Sequence, residues 1–413
     1  MVTDLRISGK RLQERIQALA AIGSTGDGGC CRLALTDEDK EGRDLVVAWM
    51  RDLGLVVEID AIGNIFGTWR IGSGAPVMTG SHIDTVRTGG IYDGNLGVIA
   101  GLEVIETLQS AGIEPSRPIT VAVFTDEEGA RFAPDMLGSL VYAGGLNLET
   151  ALDTKAIDGP RLGDELERIG YAGALPCPGA IPHAFVEYHI EQGPVLEVEN
   201  QPIGVVTGVQ GISWQEVVIK GQSNHAGTTP MSMRHDPAYA ASMIGVFLRE
   251  LATSMGGNQV CTVGRIELVP NLINVVPKSA TLTVDIRNTD EDLLQHAEKT
   301  FQDFLERLAS TEGVEISSRP LARFEPVVFD DGVLRVIERE TTALGATYMR
   351  LPSGAGHDAQ MLARICPTGM IFTQSHKGLS HNPAEHTDAD LLELGANVLL
   401  ATMMALANDE HLN

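Results

Sequence analysis

The chain has 413 residues, 43% hydrophobic and 21% charged, a globular composition in a length that exceeds what one hydrophobic core usually sustains, so two domains are expected. Its formal net charge of -25 excludes the basic surface that a phosphate backbone requires, and no nucleic-acid partner is expected. The N-terminal stretch MVTDLRISGKRLQERIQALAAIG carries charges throughout without a signal-peptide core, and the apolar run 398–407 is too short to cross a bilayer; a cytoplasmic protein with no membrane partner is expected. Cys30, Cys31, Cys177, Cys261 and Cys366 are odd in number and contain no Cys-x-x-Cys pair, which disfavours a disulfide framework or a zinc-thiolate site. Any metal must then be held by histidine and carboxylate.

Helical spacing runs over 11–22 and 37–53, followed by strand patterns in LVVEID and GNIFGTWR and a short buried strand in APVMTGSHID. GVIAGLEVIETLQSAG predicts a helix with a glycine stop, and PITVAVFTDEEG another buried strand. Apolar strands alternating with helices mark an α/β layer on a largely parallel sheet, whose ligand sites lie at the carboxyl ends of the strands. SHIDT and TDEEG both fall at such ends. From Ile212 the rhythm changes to strand, helix, strand, strand, helix, strand, a split β-α-β-β-α-β unit. It predicts a domain over 212–325 inserted into a first domain made of 1–211 and 326–413, which resumes with FDDGVLRVIERETTALG and closes with the C-terminal helix.

Polar residues cluster at the predicted strand ends. His82 and Asp84 alternate and share a face, while Asp93 follows a glycine-rich turn that lets backbone approach whatever is bound. His189 in EYHIEQGPVLE and His381 in GLSHNPAEHT are each flanked by polar or turn residues, and such nitrogen and oxygen donors suit zinc, manganese, cobalt or nickel. Asp126, Glu127 and Glu128 follow a core strand directly, where repulsion and desolvation are costly unless something compensates. Neighbours in an extended segment point opposite ways, so one acid is placed to ligate while the next faces substrate.

The order of these blocks resembles the di-metal aminoacylase and carboxypeptidase superfamily, and more narrowly its amidase, hydantoinase and carbamoylase branch. The blocks are GSHIDTVRTGGIYDGNLGV, EEGARF, HIEQGPVLE, NHAGTTPMSMRHDP, NVVP, DIR and SGAGHDAQ. The resemblance implies an α/β fold: a di-metal aminopeptidase-like catalytic domain with an inserted ferredoxin-like lid and dimerisation domain. It implies that Asp93 bridges two divalent ions, with His82 and His189 completing one site and Glu128 and His381 the other. By the same resemblance Glu127 is the general base, Asp84 orients His82, and Gln192, His225, Asn274, Arg287, Gly356 and His357 contact substrate. The implied reaction is hydrolysis of the ureido C–N bond of an N-carbamoyl-L-amino acid to amino acid, carbon dioxide and ammonia. Allantoate or β-ureidopropionate hydrolysis is the alternative, and aminoacylase or carboxypeptidase activity a more distant one, because peptidase relatives usually carry an acidic ligand where His189 stands. A homodimer through the inserted domain is expected, in which the NHAG histidine, His225, can reach the neighbour's site.

Overall fold

The computed structural model describes residues 5–408. The chain divides into two compact units, 1–208 with 328–413, and 209–327. In the first, six strands lead the way: β1 (Val56–Ile59), β2 (Ile65–Trp69), β3 (Val77–His82), β4 (Ile119–Phe124), β5 (Ala184–Ile190) and β6 (Ile203–Val209). The second unit contains β7 (Gly211–Lys220), β8 (Asn224–His225), β9 (Val260–Val269), β10 (Val275–Val276), β11 (Ser279–Asn288) and β12 (Glu315–Phe324). The chain then supplies β13 (Val327–Val328), β14 (Tyr348–Ser353) and β15 (Thr368–Thr373).

The large sheet runs β1-β2-β4-β3-β5-β15-β6-β13, with β14 also pairing β6. Its centre is parallel: β3 pairs in that sense with β4 and with β5, and β5 with β15. Every residue of β3, β4, β5 and β15 is buried, which accounts for apolar residues on both faces of each strand rather than on one. The helix Asn95–Ala111 ends at Gly112 in the left-handed conformation, and its Gly97 lies so close to the sheet that a Cβ would stand 2.8 Å from the Tyr188 carbonyl oxygen. The predicted 11–22 and 37–53 helices form as Gly9–Ala20 and Asp37–Asp52, capped by the Ser8 and Thr36 hydroxyls.

The C-terminal helix is longer than the apolar run suggested. Ala389–Ala407 is long and apolar enough by length and composition to cross a membrane, yet 67% of its apolar window is buried inside the protein. Burial, not shortness, is what identifies it as a core helix.

In the second unit the order is β7, helix Pro237–Met255, β9, β11, helix Glu291–Glu312, β12, with the sheet arranged β12-β7-β11-β9 and antiparallel throughout. The period of two is clean along β11: Ala280, Leu282, Val284 and Ile286 are buried with Leu248 and Phe301, while Thr281, Thr283, Asp285 and Arg287 take the other face. A separate two-stranded ribbon pairs β8 with β10.

Candidate metal centre

Parallel strands with adjacent carboxyl ends bring distant stretches of sequence together. His82 closes β3, His189 is the penultimate residue of β5, and the TDEEG acids leave β4. Asp93 arrives on the loop between β3 and the helix Asn95–Ala111, where Gly94 has φ 66 and a Cβ would lie 2.4 Å from the His82 ring. Only glycine fits that position.

Asp93 is the hub. Its Oδ1 lies 3.7 Å from His82 Nε2 and 3.2 Å from His189 Nε2, and its Oδ2 lies 3.3 Å from His381 Nε2. Glu128 Oε2 is 3.2 Å from His381 Nε2, whereas Glu127 Oε2 lies 3.4 Å from His82 Nε2. The donors form two groups able to hold a cation, His82 with Asp93 and His189, and Asp93 with Glu128 and His381. Glu187, His189 and His357 make a third combination, but both Glu187 oxygens are already taken, by Ser81 Oγ at 2.6 Å and the Ala359 N–H at 2.8 Å.

The histidines are set up as ligands. Nδ1 of His82 meets the Asp84 carbonyl at 2.9 Å and Nδ1 of His189 the Ile190 carbonyl at 2.8 Å, so each ring commits its Nδ1 proton to backbone and turns Nε2 toward Asp93. Nε2 of His189 also faces the Gly94 N–H at 3.1 Å. A proton on that nitrogen suits Asp93 but opposes the amide, and a bare nitrogen suits the amide but abuts the carboxylate. A cation between Nε2 and Asp93 would take the nitrogen's lone pair and relieve its contact with the carboxylate, and the residues fit one.

The charges show the same strain. Burial, then Asp358 and Glu128, raise the Glu127 pKa well above the ordinary carboxylate range, and burial with Asp93 raises that of Glu128. Burial pushes His82 down to about 4, while His189 is held up at about 9 because Asp93 and Glu187 outweigh the burial that opposes its charge. Bonds to Asp93 and Glu128 carry His381 up to about 11. Two dications would turn this repulsion among buried carboxylates into attraction. Backbone cost is concentrated here too, with Asp126, Gln192 and His381 at φ 55, 59 and 53, a region that costs non-glycine residues roughly 1–3 kcal/mol each.

The remaining expected residues take varied places. Asp84 meets His82 through its main-chain carbonyl; its carboxylate stands 3.9 Å from Nδ1 and instead accepts the Glu127 and Glu128 N–H groups, each at 3.3 Å. Gln192 Nε2 donates to Asp93 Oδ2 at 2.9 Å. His357 is buried edge-on against His189, its Nε2 paired with Ser353 Oγ at 2.8 Å, and neighbouring Gly356 lies against Met136.

The other three belong to the second unit. His225 is exposed, and its Nδ1 accepts from the N–H groups of Gly227 at 3.1 Å and Thr228 at 3.3 Å, which leaves the proton of the neutral ring on Nε2. Asn274 is exposed beside it, its carbonyl bonded to the Ala226 N–H at 2.9 Å. Arg287 already engages Asp285, with Nη2 donating to Oδ2 at 2.8 Å and Nε to Oδ1 at 3.0 Å.

Several residues around the centre escape sequence reasoning. Arg32 is fully buried and donates to the Ile83 carbonyl at 2.7 Å and to Asn95 Oδ1 at 2.8 Å, pinning both ends of the Asp93 loop. Glu385 and Ser380 contact that loop from the segment bearing His381. Glu187 had a signal, since it alternates with His189 along β5 and so shares its face.

Residues 78–405 match the model of peptidase family M20/M25/M40. An N-carbamoyl-L-amino-acid amidohydrolase of Rhizobium meliloti is 40% identical over 97% of this chain and 97% of its own. One of Geobacillus stearothermophilus is 40% identical over 98% of this chain and 100% of its own. The crystal structure of an amidase of the hydantoinase/carbamoylase family from Burkholderia multivorans superposes with a TM-score of 0.95 at 43% identity, covering 98% of this chain and 99% of that one. With its family model matched over most of its length and full-length relatives at this identity, the chain belongs to peptidase family M20/M25/M40.

Proposed function

We propose that the protein is a metal-dependent amidohydrolase that cleaves the ureido C–N bond of an N-carbamoyl-L-amino acid, adding water and releasing the amino acid, carbon dioxide and ammonia. The observation that carries this reading is the pair of histidine-carboxylate groups sharing Asp93, with Glu127 beside them but in neither. The names of the Rhizobium and Geobacillus relatives support the substrate class.

In this reading His82, Asp93 and His189 would hold one divalent ion and Asp93, Glu128 and His381 a second, zinc or else manganese, cobalt or nickel. Ions bound there would acidify a water and polarise the ureido carbonyl. Glu127 accepts the proton of the attacking water and returns it to the departing nitrogen. The Asp84 carboxylate, on the Glu127 and Glu128 amides, holds the base and its neighbour in their separate directions. Gln192 steadies Asp93 through Oδ2, the oxygen that faces His381.

Substrate recognition is assigned to Gln192, His225, Asn274, Arg287, Gly356 and His357. The His225 tautomer leaves an Nε2–H donor for a carbonyl oxygen. Arg287 supplies a planar fork for the carboxylate, oriented by Asp285. A lid and dimerisation role is assigned to the second unit. Supporting the latter, β9 ends its sheet with Val260, Ile266 and Val269 exposed, whereas β12 at the other edge carries Arg319 and Pro320.

The test is hydrolysis by chelator-stripped and by reloaded enzyme, read as ammonia from the ureido substrates and as freed amino acid from the N-acylamino acids and dipeptides. The substrates are N-carbamoyl-L-amino acids, allantoate, β-ureidopropionate, N-acylamino acids and dipeptides. Turnover of the N-carbamoyl-L-amino acids should vanish on stripping and return with a divalent transition ion. Undiminished turnover by verified metal-free enzyme, or a preference for dipeptides, overturns the reading.

A further inference from the structure

The loop between β3 and the helix Asn95–Ala111 places Asp93 without strand or helix of its own, so its main-chain donors need partners from elsewhere. Glu385 supplies them. Its Oε1 accepts the Tyr92 N–H at 2.9 Å and the Asp93 N–H at 3.3 Å, while its Oε2 faces Ser380 Oγ at 3.1 Å. The residue is 6% exposed. The loop is shaped around this carboxylate, because a Cβ on Gly90 would stand 2.1 Å from Glu385 Oε1 and 2.2 Å from its Cδ.

Ser380 extends the contact to the side chain of Asp93. Its hydroxyl lies 3.1 Å from Asp93 Oδ2 as well as 3.1 Å from Glu385 Oε2, and Gln192 Nε2 donates to it at 3.2 Å. Ser380 carries a single proton and faces two carboxylates. A cation at Asp93 Oδ2 would settle the choice by leaving that proton to Glu385. A further tie, Thr88 Oγ1 to the His381 carbonyl at 3.2 Å, joins the same two loops.

We propose that Glu385 is a positioning residue for the pocket formed by Asp93, Glu128 and His381. By tying the loop that carries Asp93 to the segment that carries His381, it fixes the separation of these ligands and thereby sets the affinity of that pocket for a divalent ion. The inference rests on the two-ion reading above and adds to it a residue outside both groups of candidate ligands.

Glu385→Gln tests it with little change of shape. The introduced amide can still accept from Tyr92 and Asp93 at one end, but at the other it donates to Ser380. The Ser380 proton is then forced onto Asp93 Oδ2, the oxygen facing His381, where it competes with a cation. Gly90→Ala tests the same contact from the opposite side by displacing the carboxylate. The measurement is zinc titrated calorimetrically into the stripped full-length protein, with bound zinc counted by elemental analysis and thermal unfolding of the stripped forms recorded alongside. Wild type should bind two ions. Glu385→Gln should weaken one of the two binding steps by about 10- to 100-fold, the usual effect of removing an outer partner of a metal ligand, and leave the other within about threefold. Gly90→Ala should weaken the same step, and if it does not fold, Glu385→Gln decides alone. Two steps both within about twofold of wild type in a folded Glu385→Gln protein overturn the assignment. Failure of the wild type to bind two ions overturns the two-ion reading itself, and this one with it, without appeal to any variant.

Discussion

Glu127 and Glu128 are neighbours that face different histidines, His82 and His381, because the Asp84 carboxylate gathers both of their amides and fixes the turn. Adjacent acids thus acquire separate tasks. Glu127→Gln should retain two ions by elemental analysis yet lose turnover at least ~100-fold, the lower end of what acid-base catalysis contributes; near-normal ammonia release by the metallated variant would place the base elsewhere. Outside the centre, Asp60 provides a pH test. It is buried beneath the Asn64 and Ile62 amides, and burial pushes its pKa up to about 6. The folded state therefore holds the Asp60 proton more tightly than the unfolded chain, so stability from this group is complete below the ordinary carboxylate pKa and is lost as pH rises toward 6. Between pH 5 and 7.5 that loss amounts to about 1 kcal/mol. The urea-unfolding difference between wild type and Asp60→Asn should shift by this amount over that range, whereas a constant difference would mean that Asp60 titrates normally. At this scale the sequence was partly legible. His82, Asp93, His189 and His381 stand beside glycine-rich or strand-end signals. Glu385 sits in SHNPAEHT with no feature to separate it from a solvated acid, and the use of the Asp84 carbonyl rather than its carboxylate is a backbone detail that no residue type encodes.

At the scale of elements, the positions of the ligands depend on how closely helix Asn95–Ala111 lies on β3 and β5. Gly97 faces the Tyr188 carbonyl at 2.8 Å, Ser81 Cβ at 2.9 Å and the Gly80 carbonyl at 3.1 Å, measured from where a Cβ would stand. Two of these are main-chain atoms in fully buried strands, and they have no room to yield. Gly97→Val should therefore lift the helix, destabilise the unit by about 1–3 kcal/mol, the usual cost of overpacking, and weaken zinc uptake because Asp93 precedes that helix by two residues. Unchanged urea midpoints and zinc affinity would show that the contact is slack. The elements themselves were readable for the reason that makes them rigid: buried parallel strands carry apolar residues on both faces, and helices carry hydroxyl or aspartate caps and glycine stops. The C-terminal helix extends beyond the apolar run 398–407 because its first turns, Ala389 to Ala396, include polar residues, while its burial depends on partners far away in sequence. Arg287 is expected to contact substrate by resemblance alone, and the structure places its guanidinium on Asp285, on the same face two residues earlier.

At the scale of the whole molecule, the second unit sets the remaining question. A sheet edge with unpaired main-chain groups and exposed Val260, Ile266 and Val269 invites pairing, and the exposed Val246 and Tyr239 of helix Pro237–Met255 add apolar area. A second copy meeting this edge by a two-fold axis would match it to itself. Light scattering should then give the mass of two chains for wild type and of one for Ile266→Lys, whose ammonium would lie where the partner's edge arrives. A monomeric wild type removes the dimer from the proposal. The dimer also permits a sharper measurement, since His225 is expected to be able to serve the neighbouring chain. Glu127→Gln and His225→Ala should each be inactive alone. If His225 acts across the dimer, subunit exchange between them creates mixed dimers in which the His225→Ala chain keeps its Glu127 and borrows the histidine of its partner. Random exchange makes half the dimers mixed, each with one restored site, so ammonia release should climb to about a quarter of the wild-type rate. If His225 serves its own chain, every site in every mixed dimer still lacks one of the two groups and the mixture stays inactive. Recovery that follows the measured exchange rate therefore assigns the histidine to the partner, and its absence after complete exchange assigns it to the chain that carries it.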